Sequence, residues 1–114
     1  MINTNDLNYF LTIGMIKVIE DALMASEKDS YSLGIILPPH YYSFLADEEN
    51  YIAIERIFKA DNLVYLEFWE YKYGRKTVSN FEINNTFLDD RYAFMTLELI
   101  YDKLQELGIL NKTI

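Results

Sequence analysis

The stretch LVYLEFWEYKY, residues 63–73, decides how this chain folds. Aromatic and aliphatic side chains dominate it, a composition that suits a pleated, half-buried surface, and no Gly or Pro interrupts it. Side chains alternate across a strand, so Val64, Leu66 and Phe68 share one face, continued by Glu70 and Lys72. Leu63, Tyr65, Glu67, Trp69, Tyr71 and Tyr73 take the other. On the N-terminal side, Lys59-Ala60-Asp61-Asn62 reads as a tight turn, because Asp and Asn hydrogen-bond locally and tolerate turn dihedrals. On the C-terminal side, Tyr73-Gly74-Arg75-Lys76 reads as a hairpin turn, and residues 77–83 return as its partner. The segment before the first turn, residues 51–59, is ambiguous. Ile52, Ile54 and Phe58 fit period two, whereas Ile54, Ile57 and Phe58 fit a helix. Connections this short exclude crossovers, so the sheet is expected to be an antiparallel meander.

Helical patterns bracket that centre. Over about residues 5–26, Leu7, Leu11, Met15, Val18, Ala22 and Ala25 recur at spacings of four and three, which predicts one buried face. Phe10, Ile13, Ile16, Ile19 and Leu23 widen the stripe. Asn3, Thr4 and Asn5 offer N-cap oxygens, and Gly14 hints at close packing. Over about residues 89–107, Ala93, Leu97, Ile100, Leu104 and Leu107 repeat in the same way. Asp89 and Asp90 suit the positive end of the helix dipole, and Gly108-Ile109 suits a left-handed C-cap with a hydrophobic closure. Residues 31–37 form a short buried segment before Pro38-Pro39, and a further helix is expected from Pro39, burying Tyr41, Phe44 and Leu45. ADEEN, residues 46–50, reads as an exposed turn. The chain is thus expected to form a single α+β domain over 1–114. Its antiparallel β-meander of three to four strands packs with N-terminal and C-terminal helices.

At 114 residues the chain is long enough for one real core and short for two. Eighteen acidic side chains against ten basic ones give a net charge of −8, which argues against direct nucleic-acid binding by phosphate neutralisation. The excess is uneven: residues 51–83 hold five acids and five bases, so the helices and the ADEEN turn carry it. No Cys is present, which fits a reducing compartment, and no stretch reads as a signal peptide or a spanning helix. A cytoplasmic protein without membrane partners is expected.

Catalytic signals are weak. His40 is the only histidine, so a His-based zinc or iron site cannot be completed, and Ser43 lacks a nucleophile context. Glu67 and Glu70 lie on opposite strand faces, and whether Glu55 approaches Glu67 depends on a register the sequence leaves open. The four glycines never cluster into a phosphate loop. A non-enzymatic chain with no cofactor and no metal is therefore expected. The better candidate is a binding surface. If Val64, Leu66 and Phe68 meet the helices, an aromatic row is left on the second face. Tyr65, Glu67, Trp69 and Tyr71 would then contact a partner, with Asp47, Glu48 and Glu49 steering a basic protein towards it. The competing arrangement covers the sheet on both sides, with one terminal helix on each. A homodimer through the aromatic face is a further possibility.

One segment adds a resemblance. Leu33-Gly34-Ile35-Ile36-Leu37-Pro38-Pro39-His40-Tyr41-Tyr42-Ser43-Phe44-Leu45 resembles the L-G-I-x-L-P-x-x-Y-x-x-F-L signature of SMI1/KNR4-type (SUKH superfamily) domains. Asp47-Glu48-Glu49-Asn50 stands where that family customarily continues with Asn-Gly-Gly. Many bacterial members of the family are immunity proteins, so the resemblance implies a stoichiometric inhibitor whose partner is a cognate protein toxin. A phage-encoded inhibitor of a host nucleic-acid enzyme fits the same acidic surface. A small-molecule-binding or hydrolytic α+β domain is the alternative from another class.

Overall fold

The computed structural model describes residues 4–39, 46–84 and 93–110. In chain order they form helix α1 (Thr4–Ala25), strands β1 (Ser30–Ile36), β2 (Tyr51–Ala60), β3 (Leu63–Lys72) and β4 (Arg75–Glu82), and helix α2 (Ala93–Glu106). The four strands make one antiparallel sheet in the order β1-β2-β3-β4, and the fold is α+β. The ambiguous segment before the first turn is a strand, because a two-residue turn delivers it directly beside β3.

Both central hairpins have two-residue loops. Ala60 pairs with Leu63 and Lys72 with Arg75, leaving Asp61-Asn62 and Tyr73-Gly74 as the turns. All four turn residues have positive φ, from 51° to 75°. That is the requirement of the type I′ turn, whose twist matches the right-handed twist of the strands it joins. Irregularities occur at two places. A bulge at Glu55 shifts the β2–β3 register between Ile54 and Arg56. A second shift, between Ser32 and Ile35, coincides with Gly34, whose φ of +63° is left-handed.

Both helices pack on the same face of the sheet. Ile16, Ile19 and Leu23 of α1 join Leu97, Ile100 and Leu104 of α2 over Leu33, Ile54, Ile57, Val64 and Leu66. The arrangement with one terminal helix on each face is therefore not the one adopted by α1 and α2. Phe68 lies partly buried against this core and meets Phe81 edge-on, with ring centroids 5.6 Å apart.

The helices also correct three sequence readings. The stripe expected to face the core of α1 contains Leu11 and Val18, yet these are 43% and 44% exposed. The buried stripe is Thr12, Ile16, Ile19 and Leu23, which repeats at the same spacings one position on. The helix is apolar on several sides, so periodicity alone could not choose between adjacent stripes. Gly14 lies on the exposed side, with nothing among the described residues within 4 Å of where a Cβ would sit, so close packing is not its reason. Leu107, expected in the core, is likewise exposed. The end of α2 matches its sequence signature: Gly108 N–H donates to Gln105 O and Ile109 N–H to Leu104 O, with Gly108 at φ +81°. These are the two bonds of a Schellman cap. The helix expected from Pro39, with His40, Tyr41, Phe44 and Leu45, and the expected helix start at Asp89 and Asp90 lie outside the described residues.

Candidate functional site

Among the described residues no helix covers the second face of the sheet, and its floor is aromatic. Tyr65, Glu67, Trp69 and Tyr71 project from β3 on this side, opposite in parity to buried Val64 and Leu66. The register then sets their neighbours. Phe58 stands opposite Tyr65, Arg56 opposite Glu67, Ala53 opposite Trp69 and Tyr51 opposite Tyr71. From β4 come Glu82, Asn80, Val78 and Lys76, in the same order. Rings pair along the face: Phe58 stacks on Tyr65 at 5.3 Å, Tyr51 meets Tyr71 at 4.7 Å, and Trp69 meets Tyr71 edge-on at 6.3 Å.

Glu67 is the hub of this arrangement. Its Oε1 accepts the indole N–H of Trp69 at 2.7 Å. Its Oε2 accepts from Arg56 Nε at 3.1 Å and from a terminal guanidinium nitrogen of Arg56 at 2.7 Å. The side chain is only 13% exposed. Burial works to raise its pKa, but the hydrogen bonds from Arg56 and Trp69, with the charges of Arg56 and Lys76, outweigh that and hold it below the usual carboxylate range. Arg56 also donates to Ser30 Oγ and lies over the Phe58 ring at 4.3 Å. Lys76 Nζ sits 4.1 Å from the centre of the Trp69 ring system. The rings are thus held by strands and by a shared ion pair, so a molecule docking against them would cost little further side-chain entropy. Burial pushes the Tyr71 hydroxyl pKa up, with Tyr51 and Glu55 adding to the effect.

The acidic turn has its own internal order. Asp47 accepts from the backbone N–H of Glu49 and of Asn50, and from the Asn50 side chain. Those bonds, that from Glu49 foremost, lower the Asp47 pKa. Asp47, Glu48 and Glu49 are all exposed. Asn50 Oδ1 accepts the Tyr73 N–H at 2.8 Å, which ties this turn to the β3–β4 hairpin. The acids therefore lie at the Tyr51–Tyr71 end of the aromatic face, beside the cationic hairpin residues Lys72, Arg75 and Lys76, and away from Tyr65.

Of the seven residues singled out from sequence, the structure brings four onto one surface and places three at its end. Arg56, Phe58, Tyr51 and Lys76 belong to the same surface: alternation does not reveal the first three while the β2 register is open, and Lys76 reads from sequence as a turn residue although it belongs to β4, opposite Tyr71. Glu55, considered there as a partner for Glu67, sits in the bulge, and Arg56 takes the position opposite. Among the described residues no group of three or more His, Cys, Asp or Glu is placed to hold a metal ion, and no helix is long and apolar enough to cross a membrane. No family model matches the sequence, and no curated protein or solved structure matches the chain.

Proposed function

We propose that this chain is a non-enzymatic inhibitor that binds a partner protein through the aromatic face of its sheet, and specifically an immunity protein that neutralises a cognate bacterial toxin in the cytoplasm. The observation that carries the reading is the ordered row Phe58, Tyr65, Trp69, Tyr71 and Tyr51 on the face turned away from α1 and α2. Large rings with polar tips bury much area at small entropic cost and dominate binding energy at protein interfaces. The toxin-specific part rests on the resemblance of residues 33–45 to immunity domains and on the acidic charge, which favours a basic partner.

Co-expression with the toxin candidate encoded beside this gene, followed by calorimetry on the purified pair, tests the reading. A one-to-one complex and protection of the host cell are expected. Trp69→Ala should weaken the complex by about 2 kcal/mol or more, as expected for a central anchor. Unchanged affinity in a folded Trp69→Ala variant removes this face from the interface. Loss of affinity in an unfolded variant is recognised by circular dichroism, and Tyr65→Ala then serves in its place.

A further inference from the structure

We infer that β4 is a self-pairing edge, through which two copies of this chain join their sheets into one continuous eight-stranded sheet. The two edges of the sheet are built differently. The β1 edge carries the Gly34 bulge and runs into Pro38 and Pro39, which have no N–H to donate. Bulges and prolines are two of the devices that keep an edge from pairing. The β4 edge has neither. All eight of its residues pair with β3 in unbroken register, and among the described residues no strand pairs with its outer side. Val78 and Phe81 are 47% and 49% exposed, which is apolar surface that a neighbouring strand would cover.

The occupant follows from the charge pattern of the strand, Arg75-Lys76-Thr77-Val78-Ser79-Asn80-Phe81-Glu82. Charged side chains, lysine above all, also blunt an edge; on β4 they are confined to the two ends, with opposite signs, and the middle is uncharged. Antiparallel pairing of a strand with its own copy brings its two ends together, so cations meet the anion. A two-fold axis normal to the sheet keeps the same face up in both copies, so paired positions must share a face. Lys76, Val78, Asn80 and Glu82 share the aromatic face, since they pair with Tyr71, Trp69, Glu67 and Tyr65. The register centred on Ser79 satisfies both conditions. It sets Lys76 against the second copy's Glu82, Val78 against its Asn80, Thr77 against its Phe81, and Ser79 against its Ser79. The joined sheets present both aromatic faces on one side and all four helices on the other. Self-pairing therefore leaves the proposed docking face open, and each reading can fail without the other.

Sedimentation velocity over a concentration series is the test. The wild-type chain is expected to shift from one-chain to two-chain mass as concentration rises. Lys76→Glu places like charges opposite each other at two symmetric positions and should raise the dimer Kd roughly tenfold. The double variant Lys76→Glu/Glu82→Lys restores opposite charges and should recover the dimer. Val78→Lys puts a charge at the middle of the edge, at a half-exposed position the monomer tolerates, and should leave one-chain mass only. Wild type sedimenting as a single chain at every concentration overturns the proposal. So does a dimer indifferent to Val78→Lys, or a folded double variant no tighter than Lys76→Glu alone.

Discussion

At the scale of single residues, Glu67 shows why a carboxylate can sit in the middle of an aromatic surface. Its two oxygens are divided between Trp69 and Arg56, so its charge is spent on holding those side chains rather than offered to solvent. Glu67→Gln keeps the shape and removes the charge. It should cost about 1 kcal/mol, below the roughly 1.5–3 kcal/mol of hydrogen bonds to a buried charged group because Arg56 remains 39% exposed. The pH dependence has a definite sign. Because the folded-state pKa is depressed, the stabilising contribution is complete above the ordinary glutamate value of about 4.3 and is lost as pH falls through the folded value. Asp47 acts in the same direction, and Glu20, raised by burial and by Glu82, acts in the opposite one. Global acid unfolding therefore mixes them. Fluorescence of Trp69, the only tryptophan, isolates the Glu67 step. An acid-induced change in wild type that disappears in Glu67→Gln is expected; the same titration in both assigns the change to another group.

At the scale of elements, α1 offers the cleanest measurement. Gly14 lies inside a helix, on its exposed side, with open space among the described residues where a Cβ would go. Gly14→Ala should stabilise the protein by up to about 1 kcal/mol, through helix propensity alone. A rise in thermal midpoint confirms it, and a fall would mean that the outer side of α1 is occupied. The strands and both hairpins were legible because alternation and turn residues are local signals. The Asp61-Asn62 turn encodes more than its own position. A two-residue turn there fixes Ala60 opposite Leu63, and counting back places Phe58 opposite Tyr65 and Arg56 opposite Glu67. The hub of the candidate site was thus encoded in the turn, up to the bulge at Glu55, which alternation cannot foresee. The stripe of α1 was not legible for a different reason. Its apolar residues surround much of the helix, and only the position of α2 and the sheet decides which row is buried.

At the scale of the whole molecule, charge and apolar surface are partitioned. The segment 51–83, which supplies three of the four strands, is balanced, while the rest of the chain carries the entire net charge of −8. On the aromatic face Arg56 and Glu67 neutralise each other, so the proposed docking there would draw its energy from ring burial and depend little on salt. Glu48 and Glu49 are exposed at one end of that face, where the proposed contribution to a basic partner would act at longer range, during approach. Asp47 is different, because its carboxylate holds the turn together. For the complex with a basic partner, Glu48→Gln/Glu49→Gln should therefore slow association roughly threefold at low ionic strength and leave dissociation unchanged. The difference should vanish in about 1 M salt, where the Debye length falls to about 3 Å. Stopped-flow association rates across a salt series read both quantities. A deficit that persists at high salt makes these glutamates direct contacts. No deficit at any salt removes the acidic turn from the approach path and leaves recognition to the rings.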